Sequence, residues 1–233
     1  MPLILDIETV PTDKGLAMPY PEADRHPPAN YKSEDTIAKW RAADCERWAA
    51  ERAKDCSLNP RLGRVLCIGY ATATSSGVWM ADTPDHEADI LAAFWAKCAE
   101  QNGKVVTWNG SWDLTFLVTR SMLYFPNVPI PGNTIAKWFG KYRYWPHFDC
   151  KAALTQWAPP RAGEGLHQWA EFLGVEGKLD GLSGADVYPL YLGGQFDEIA
   201  AYCEADVKAT HNIYRTIAPF FPSFQSEVPD ENE

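Results

Sequence analysis

Two acidic residues stand two positions apart near the start of the chain, in an otherwise apolar segment. Asp6 and Glu8 alternate with Leu5 and Ile7 within residues 3–10. If this segment is a β-strand, its period of two places both carboxylates on one face of a sheet, where like charges repel each other. A cation between the two carboxylates would make the arrangement favourable, whereas a strand end that reaches solvent would only hydrate them. The residues alone leave both interpretations open.

Two further acids lie in helical contexts. Asp113 follows the turn at Asn109 and Gly110 and falls in the first turn of a predicted helix, where the helix dipole stabilises a negative charge. Asp206 comes four residues after Tyr202, so the two side chains share one face of a helix. Taken singly, each acid is also accounted for by an ordinary structural role.

The composition bounds the class of protein. A chain of 233 residues with 46% hydrophobic residues and ten tryptophans is globular, and it is too short for a multi-domain polymerase or helicase. Its 21 basic and 31 acidic residues give a net charge of −10, which argues against binding a polyanion through a broad basic surface. The same charge is compatible with an enzyme whose acidic cluster holds a divalent metal.

Hydrophobic periodicity and turn signals predict the strands and helices that carry these acids. Strands are predicted at 3–10, 64–72, 78–81 and 104–108, and long helices at 33–55, 84–101, 112–123 and 196–217. Shorter helices are predicted near 149–157, 166–173 and 184–192. This order predicts an α/β fold in which a mixed sheet is flanked by helices. We expect one domain over residues 1–220 with an insertion at 11–60, followed by an acidic flexible tail at 221–233.

The chain carries no targeting or membrane signal that we recognise. The first residues lack a basic segment, and no apolar run approaches the roughly 18–20 residues of a membrane span. The six cysteines show no C-x-x-C spacing, so we interpret them as reduced, buried thiols, with structural zinc as the lesser alternative. We therefore expect a cytoplasmic protein with no membrane partner.

The acids occur along the chain as D-x-E, N-x-x-x-D and Y-x-x-x-D, and their conjunction is more specific than any one of them. In this order they resemble the three motifs of the DEDD superfamily of 3′–5′ exonucleases, which have a ribonuclease H-like fold. Tyr202 stands where the tyrosine subclass has its tyrosine, and position 201 is alanine rather than the histidine of the other subclass. Segments 6–11, 59–69, 106–110, 147–149, 174–178 and 199–210 are similar to the predicted stand-alone 3′–5′ exonucleases related to the proofreading domain of family B DNA polymerases. Trp112 departs from the commoner phenylalanine but keeps an aromatic ring.

The resemblance implies a metal-dependent 3′–5′ exonuclease acting on the 3′ end of single-stranded nucleic acid, with DNA preferred. It implies two Mg²⁺ or Mn²⁺ ions, bound by Asp6, Glu8 and Asp206, with Asp113 contributing through water and Tyr202 orienting the attacking water. A set made only of carboxylates suits these hard cations better than zinc. The alternatives are an exoribonuclease or oligonucleotide-trimming enzyme, and a catalytically inactive nucleic-acid-binding module.

The region from 134 to 161 departs from the overall charge of the chain. It holds five basic residues against one acid, a net charge of +4, and several aromatic residues lie among them. Aromatic faces and cations together are typical of a groove for single strands, although a packed helical layer with a basic rim would also explain them. The candidate substrate-binding residues are Thr9, Asn109, Lys137, Lys141, Arg143, Tyr144, His147 and Lys178. For Asn109 a helix-capping role, and for His147 a structural role, is the favoured interpretation.

Overall fold

The computed structural model describes residues 1–131, 134–140, 142–158, 163–177 and 181–221. Within these residues a mixed sheet has the strand order β3-β2-β1-β4-β5, in which β2 is antiparallel to both β1 and β3, and β4 is parallel to both β1 and β5. The strands are β1 (Leu3–Pro11), β2 (Gly63–Ala71), β3 (Ser76–Met80), β4 (Val105–Thr107) and β5 (His147–Asp149). This sheet confirms the predicted α/β fold with parallel and antiparallel pairs.

Helices cover the sheet and connect its strands. In the described residues they are α1 (Asp13–Leu16), α2 (Glu34–Ser57), α3 (Glu87–Glu100), α4 (Gly110–Leu123), α5 (Thr134–Trp138), α6 (Cys150–Thr155), α7 (Leu166–Leu173), α8 (Val187–Leu192) and α9 (Phe196–Ile217). Short 3₁₀ turns lie at 22–24, 84–86 and 218–220. Among the helices described, none has the length and apolarity that crossing a membrane would require.

The structure differs from the sequence prediction mainly in its short elements. Strand β5 and helices α1 and α5 were not predicted, because elements of three to five residues show too few periods of a hydrophobic pattern to be recognised. Helix α4 begins at Gly110 rather than at 112. The predicted tail lies almost wholly outside the described residues.

Strand β1 is buried on both faces of the sheet. Leu3, Leu5 and Ile7 pack with residues of α3 and α4 on one side, whereas Ile4 packs with residues of α9 on the other. The side chains at positions 4, 6 and 8 share one face because a strand alternates. Asp6 and Glu8 therefore face the side of the sheet that α9 covers.

The segment between β1 and β2 is attached closely to the end of β1. The hydroxyl of Thr12 donates to the carbonyl of Leu62 at 2.8 Å. A Cβ atom on Gly15 would lie 2.3 Å from that same carbonyl oxygen, so only glycine allows this approach. The C-terminal end of α2 also reaches β1, because the Thr9 hydroxyl donates to the Ser57 carbonyl at 2.7 Å. The long helix of this segment thus ends beside the acidic pair on β1.

Candidate active site

Three acids from the two ends of the chain meet where α9 packs on β1. One carboxylate oxygen each from Asp6, Glu8 and Asp206 lies within 4.8 Å of the others, and the described residues contain no second group of potential metal ligands this close together. Asp6 is half-buried, and Glu8 and Asp206 are 8% and 7% exposed. The prediction that Asp6 and Glu8 share a face is confirmed, and α9 brings Asp206 to the same place.

Close packing of α9 on the sheet makes this meeting possible. Gly69 on β2 is paired with Asp6, and a Cβ atom there would come within 2.8 Å of Cys203 and of Val207 on α9. The absence of a side chain at Gly69 therefore lets the helix approach the strands directly. Immediately beyond Glu8 the β1–β2 register shifts, a β-bulge of the kind found beside active sites.

Tyr202 occupies the predicted position on α9, one helical turn before Asp206. It is 3% exposed and packs among buried residues that include Val10 on β1 and Leu66 on β2. Its ring therefore lies between the helix and the sheet, on the side where the acids meet.

Two cysteine thiols, those of Cys203 on α9 and Cys67 on β2, lie next to the acids of β1. The Cys203 thiol donates to the backbone carbonyl of Asp6 at 3.7 Å, and its hydrogen bond with Cys67, together with burial, raises its pKa well above the ordinary value. Cys203 is therefore a neutral packing residue at neutral pH. All six cysteines are free, and five of them are buried, as predicted. The prediction is wrong for Cys45, which is exposed on α2.

Asp113 lies close to the three acids but outside their cluster. It falls in the first turn of α4, as predicted, and is 3% exposed. Burial raises the pKa of the Asp113 carboxyl to about 8, and the carboxyls of Asp149 and Asp206 act in the same direction. The fourth predicted acid is thus within electrostatic reach of Asp206 while remaining apart from the group of three.

Asp149 lies near the site but was not among the predicted site residues, although the family resemblance includes segment 147–149. It ends β5, and its carboxylate accepts from the backbone N–H of Ala152 at 2.8 Å and from that of Ser111 at 3.3 Å. It therefore joins the first turns of α4 and α6 and lies near Asp113. The available signal was its position as an N-cap before a helix, which becomes informative only once β5 is recognised.

The end of α2 forms a wall beside the acids. Besides the bond from Thr9 to Ser57, the indole Nε1 of Trp112 donates to the Leu58 carbonyl at 3.3 Å. Thr9, next to Glu8, and Trp112, next to Asp113, thus both donate hydrogen bonds to the end of α2 at residues 57 and 58. The Thr9 hydroxyl proton is engaged in this contact, and any role of Thr9 in substrate binding stays a prediction.

Two other predicted substrate residues have internal partners. Asn109 occupies the N-cap position of α4, but its side chain accepts from the Ser111 hydroxyl at 3.0 Å and caps no backbone N–H, so the favoured capping role is wrong. His147 is 7% exposed, and its Nε2 lies 2.9 Å from the Thr107 hydroxyl. Burial lowers the pKa of His147 to about 4, which leaves the ring neutral at pH 7.

A cavity of about 460 Å³ opens at the carboxyl ends of β4 and β5. Its walls come from the start of α4, the segment after α5, and the segment from β5 to residue 158. Of the predicted substrate residues, Asn109, Arg143 and His147 line it. Tyr144 packs against Phe148 and Trp157, and Lys137 is exposed on α5. Lys141 and Lys178 lie outside the described residues.

The site thus consists of carboxylates supplied by the middle strand of a mixed sheet and by the last long helix. The chain belongs to the family of predicted 3′–5′ exonucleases related to the exonuclease domain of PolB, whose model matches residues 58–230. The matched part contains Asp113, Tyr202 and Asp206 but begins after Asp6 and Glu8. A search among curated proteins gave no match.

Proposed function

We propose that the protein is a metal-dependent exonuclease that removes nucleotides from the 3′ end of single-stranded nucleic acid, with DNA preferred. The observation that carries the proposal is the convergence of Asp6, Glu8 and Asp206 within 4.8 Å in a chain of this exonuclease family. The family match reaches only Asp206 of these three, and the fold adds the two acids of β1 to it. The packing of α9 on β1, which brings the three carboxylates together, therefore supports one combined site.

The donor set fits Mg²⁺ or Mn²⁺. Three carboxylates close together repel one another unless a cation lies among them, and hard divalent cations prefer oxygen ligands. Asp6, Glu8 and Asp206 would hold the metal, and Asp113 would support a second ion through water. When bound, two such ions generate a nucleophile from water and stabilise charge on the leaving oxygen.

The protein's own residues supply orientation. Tyr202 projects from α9 on the side of Asp206, and we assign it the task of hydrogen bonding to the attacking water, because a phenol is a poor general base near neutral pH. The wall formed by Thr9, Trp112 and the end of α2 would limit the space for the terminal nucleotide. Both roles are part of the proposal.

The direct test is degradation of a 5′-labelled single strand with Mg²⁺ or Mn²⁺, run in parallel on DNA and RNA of the same sequence. We expect a ladder that shortens from the 3′ end, faster on DNA, and no ladder for Asp6→Ala or Asp206→Ala. Tyr202→Phe should bind metal normally and turn over at least about tenfold more slowly. Faster cleavage of RNA would replace the DNA preference with an exoribonuclease, and the absence of any metal-dependent hydrolysis would overturn the proposal.

A further inference from the structure

We propose that the cavity at the ends of β4 and β5 binds one nucleotide of the retained strand, upstream of the nucleotide that is removed. The inference rests on the proposed exonuclease function and extends it by assigning a second subsite. The cavity volume of about 460 Å³ lies within the range of about 300–1,000 Å³ typical of small-ligand sites, and a single nucleotide fits in that space.

The strand order places the cavity on one side of the acids. Asp6 and Glu8 lie on β1, the middle strand, and the end of α2 is held beside them by Thr9 of β1 and Trp112 of α4. The cavity lies at the carboxyl ends of β4 and β5, on the side of β1 away from β2. If the terminal nucleotide sits against the α2 wall, the continuing strand leaves over the start of α4 and reaches the cavity. Gly110 and Ser111, which line the cavity, directly precede Trp112 and Asp113.

The cavity offers cations for a phosphate. Arg143 is exposed and forms no ion pair with any residue of the described part of the chain. Lys151, in the first turn of α6, also lines the cavity. The one acid of the lining is Asp149, whose carboxylate accepts backbone N–H bonds from both Ser111 and Ala152. The neutral His147 adds no charge. The lining therefore has two cations against one acid, and the oxygens of that acid already accept hydrogen bonds from the backbone.

The cavity also offers aromatic faces for a base. Phe139, which is 47% exposed, and Trp157 both line it. Tyr142 and Tyr144 contact the Trp157 ring, with centroids 5.0 Å and 5.1 Å away, so the indole is held in place before any ligand arrives. A fixed aromatic ring beside cations is the arrangement that binds single strands by stacking and charge.

The backbone around this indole is unusual. Gln156 and Trp157 are consecutive left-handed residues, with φ values of 53° and 57°, and Tyr142 has φ 63°. A non-glycine residue in this region is strained, and such strain tends to persist where it serves binding or catalysis. The conformation turns the chain sharply after α6 and places Trp157 against the two tyrosines. The geometry and the lining chemistry thus point to the same role.

The first experiment compares a strand with a substrate that is too small to reach the cavity. A ten-nucleotide single strand of DNA is the long substrate, and the 4-nitrophenyl ester of thymidine 5′-monophosphate is the short one. In Arg143→Glu we expect the ratio of kcat/KM for the strand to kcat/KM for the ester to fall about tenfold. Lys32→Glu makes the same change of charge at an exposed site before α2 and should leave this ratio unchanged. The 24 residues of α2 separate the two ends of that helix by roughly 36 Å.

The second experiment tests stacking on Trp157. Single abasic sites are placed at successive positions from the 3′ end, and KM is measured for the wild type, Trp157→Phe and Trp157→Leu. We expect one upstream position at which loss of the base raises KM about tenfold in the wild type. In Trp157→Leu, which lacks the stacking ring, loss of the base at that position should leave KM unchanged, and in Trp157→Phe the increase should be intermediate. Arg143→Glu, a surface change, keeps the inference testable if Trp157→Leu fails to fold.

The outcomes separate the inference from the function on which it rests. If the wild type hydrolyses both substrates but Arg143→Glu leaves the ratio unchanged, or lowers it only as Lys32→Glu does, the cavity is not a strand subsite. The same conclusion follows if abasic sites act identically in the wild type and in Trp157→Leu. If the wild type hydrolyses neither substrate with Mg²⁺ or Mn²⁺, the exonuclease function and the inference fall together.

Discussion

Two groups of side chains around buried carboxylates are built in opposite ways in this molecule. Behind β2, Glu87 is fully buried and accepts from Arg120 Nε at 2.9 Å and Nη2 at 2.6 Å. It also accepts from the Tyr124 hydroxyl and from the backbone N–H of Val65, each at 2.7 Å. This carboxylate has a cation and two further donors supplied by the protein itself.

At the candidate active site, by contrast, carboxylates are gathered beside one another. Asp6, Glu8 and Asp206 come within 4.8 Å, and the nearby Asp113 has a raised pKa because of burial and its acidic neighbours. Acids packed together in this way raise the electrostatic energy of the folded protein and favour binding of an added cation. A buried acid therefore indicates function when its neighbours are other acids, and a structural role when its neighbours are cations and hydrogen-bond donors. Burial alone does not distinguish the two groups.

The largest effect should come from neutralising an active-site acid. Asp206→Asn should lower exonuclease activity roughly a thousandfold or more, since metal binding supplies several kcal/mol of charge stabilisation. Because one of three like charges is removed, the free energy of unfolding measured in EDTA should stay the same or increase. Strand degradation and urea unfolding check the two parts. A large loss of stability would show that Asp206 is a structural acid like Glu87.

The matched substitution in the other group should do the reverse. Glu87→Gln leaves the Arg120 guanidinium buried without its carboxylate, and we expect the free energy of unfolding to fall by about 3–5 kcal/mol. Below the melting temperature, the folded variant should keep nearly full activity per molecule. Urea unfolding with activity normalised to the folded fraction measures this. Loss of activity with an unchanged free energy of unfolding would contradict the structural role of Glu87.

The sequence predicted the acids better than it predicted their surroundings. The alternation around Asp6 and Glu8 predicted their common face, and the spacing of Tyr202 and Asp206 predicted theirs, because both depend only on local periodicity. The meeting of β1 with α9 depends on contacts across nearly 200 positions of chain, for which a single sequence gave only the resemblance to a family.

The cavity shows what local patterns cannot convey. Strand β5 has three residues and follows a proline, too short for an alternating pattern to emerge. Because β5 positions Asp149 near Asp113, the proximity of these two acids could not be predicted without it. The left-handed conformations of Gln156 and Trp157 likewise have no signal, because neither residue type ordinarily marks such a turn. The aromatic and basic composition of 134–161 was visible, but the arrangement that makes a cavity required the fold.

His147 is a further buried titratable group, and its partners carry no charge. Its pKa is lowered from 6.5 to about 4 by burial, so between these pH values the folded state holds fewer protons than the unfolded state. Stability should therefore fall as the pH drops from about 6.5 to about 4, by about 3 kcal/mol for this group. His147→Gln should show a shallower fall over this window in urea unfolding. Identical pH profiles for the two proteins would contradict this assignment.

The smallest effect concerns the wall beside the acids. Trp112→Phe keeps an aromatic ring but loses the indole bond to the Leu58 carbonyl, and we expect about 1 kcal/mol less stability. Hydrogen exchange of backbone amides at the end of α2 should increase locally, whereas exchange around Glu87 should not change. Unaltered exchange at residues 56–59 would show that the bond does not hold this segment.

The most direct test of the central claim is the melting temperature as a function of Mn²⁺ concentration for the wild type, Asp206→Asn and Glu87→Gln. Ligand that binds the folded state at 100 times its dissociation constant stabilises it by about 2.7 kcal/mol. We predict that Mn²⁺ raises the melting temperature of the wild type and of Glu87→Gln by similar increments and has little effect on Asp206→Asn. An equal increase in Asp206→Asn, or none in the wild type, would contradict the assignment of the three clustered acids as a metal centre.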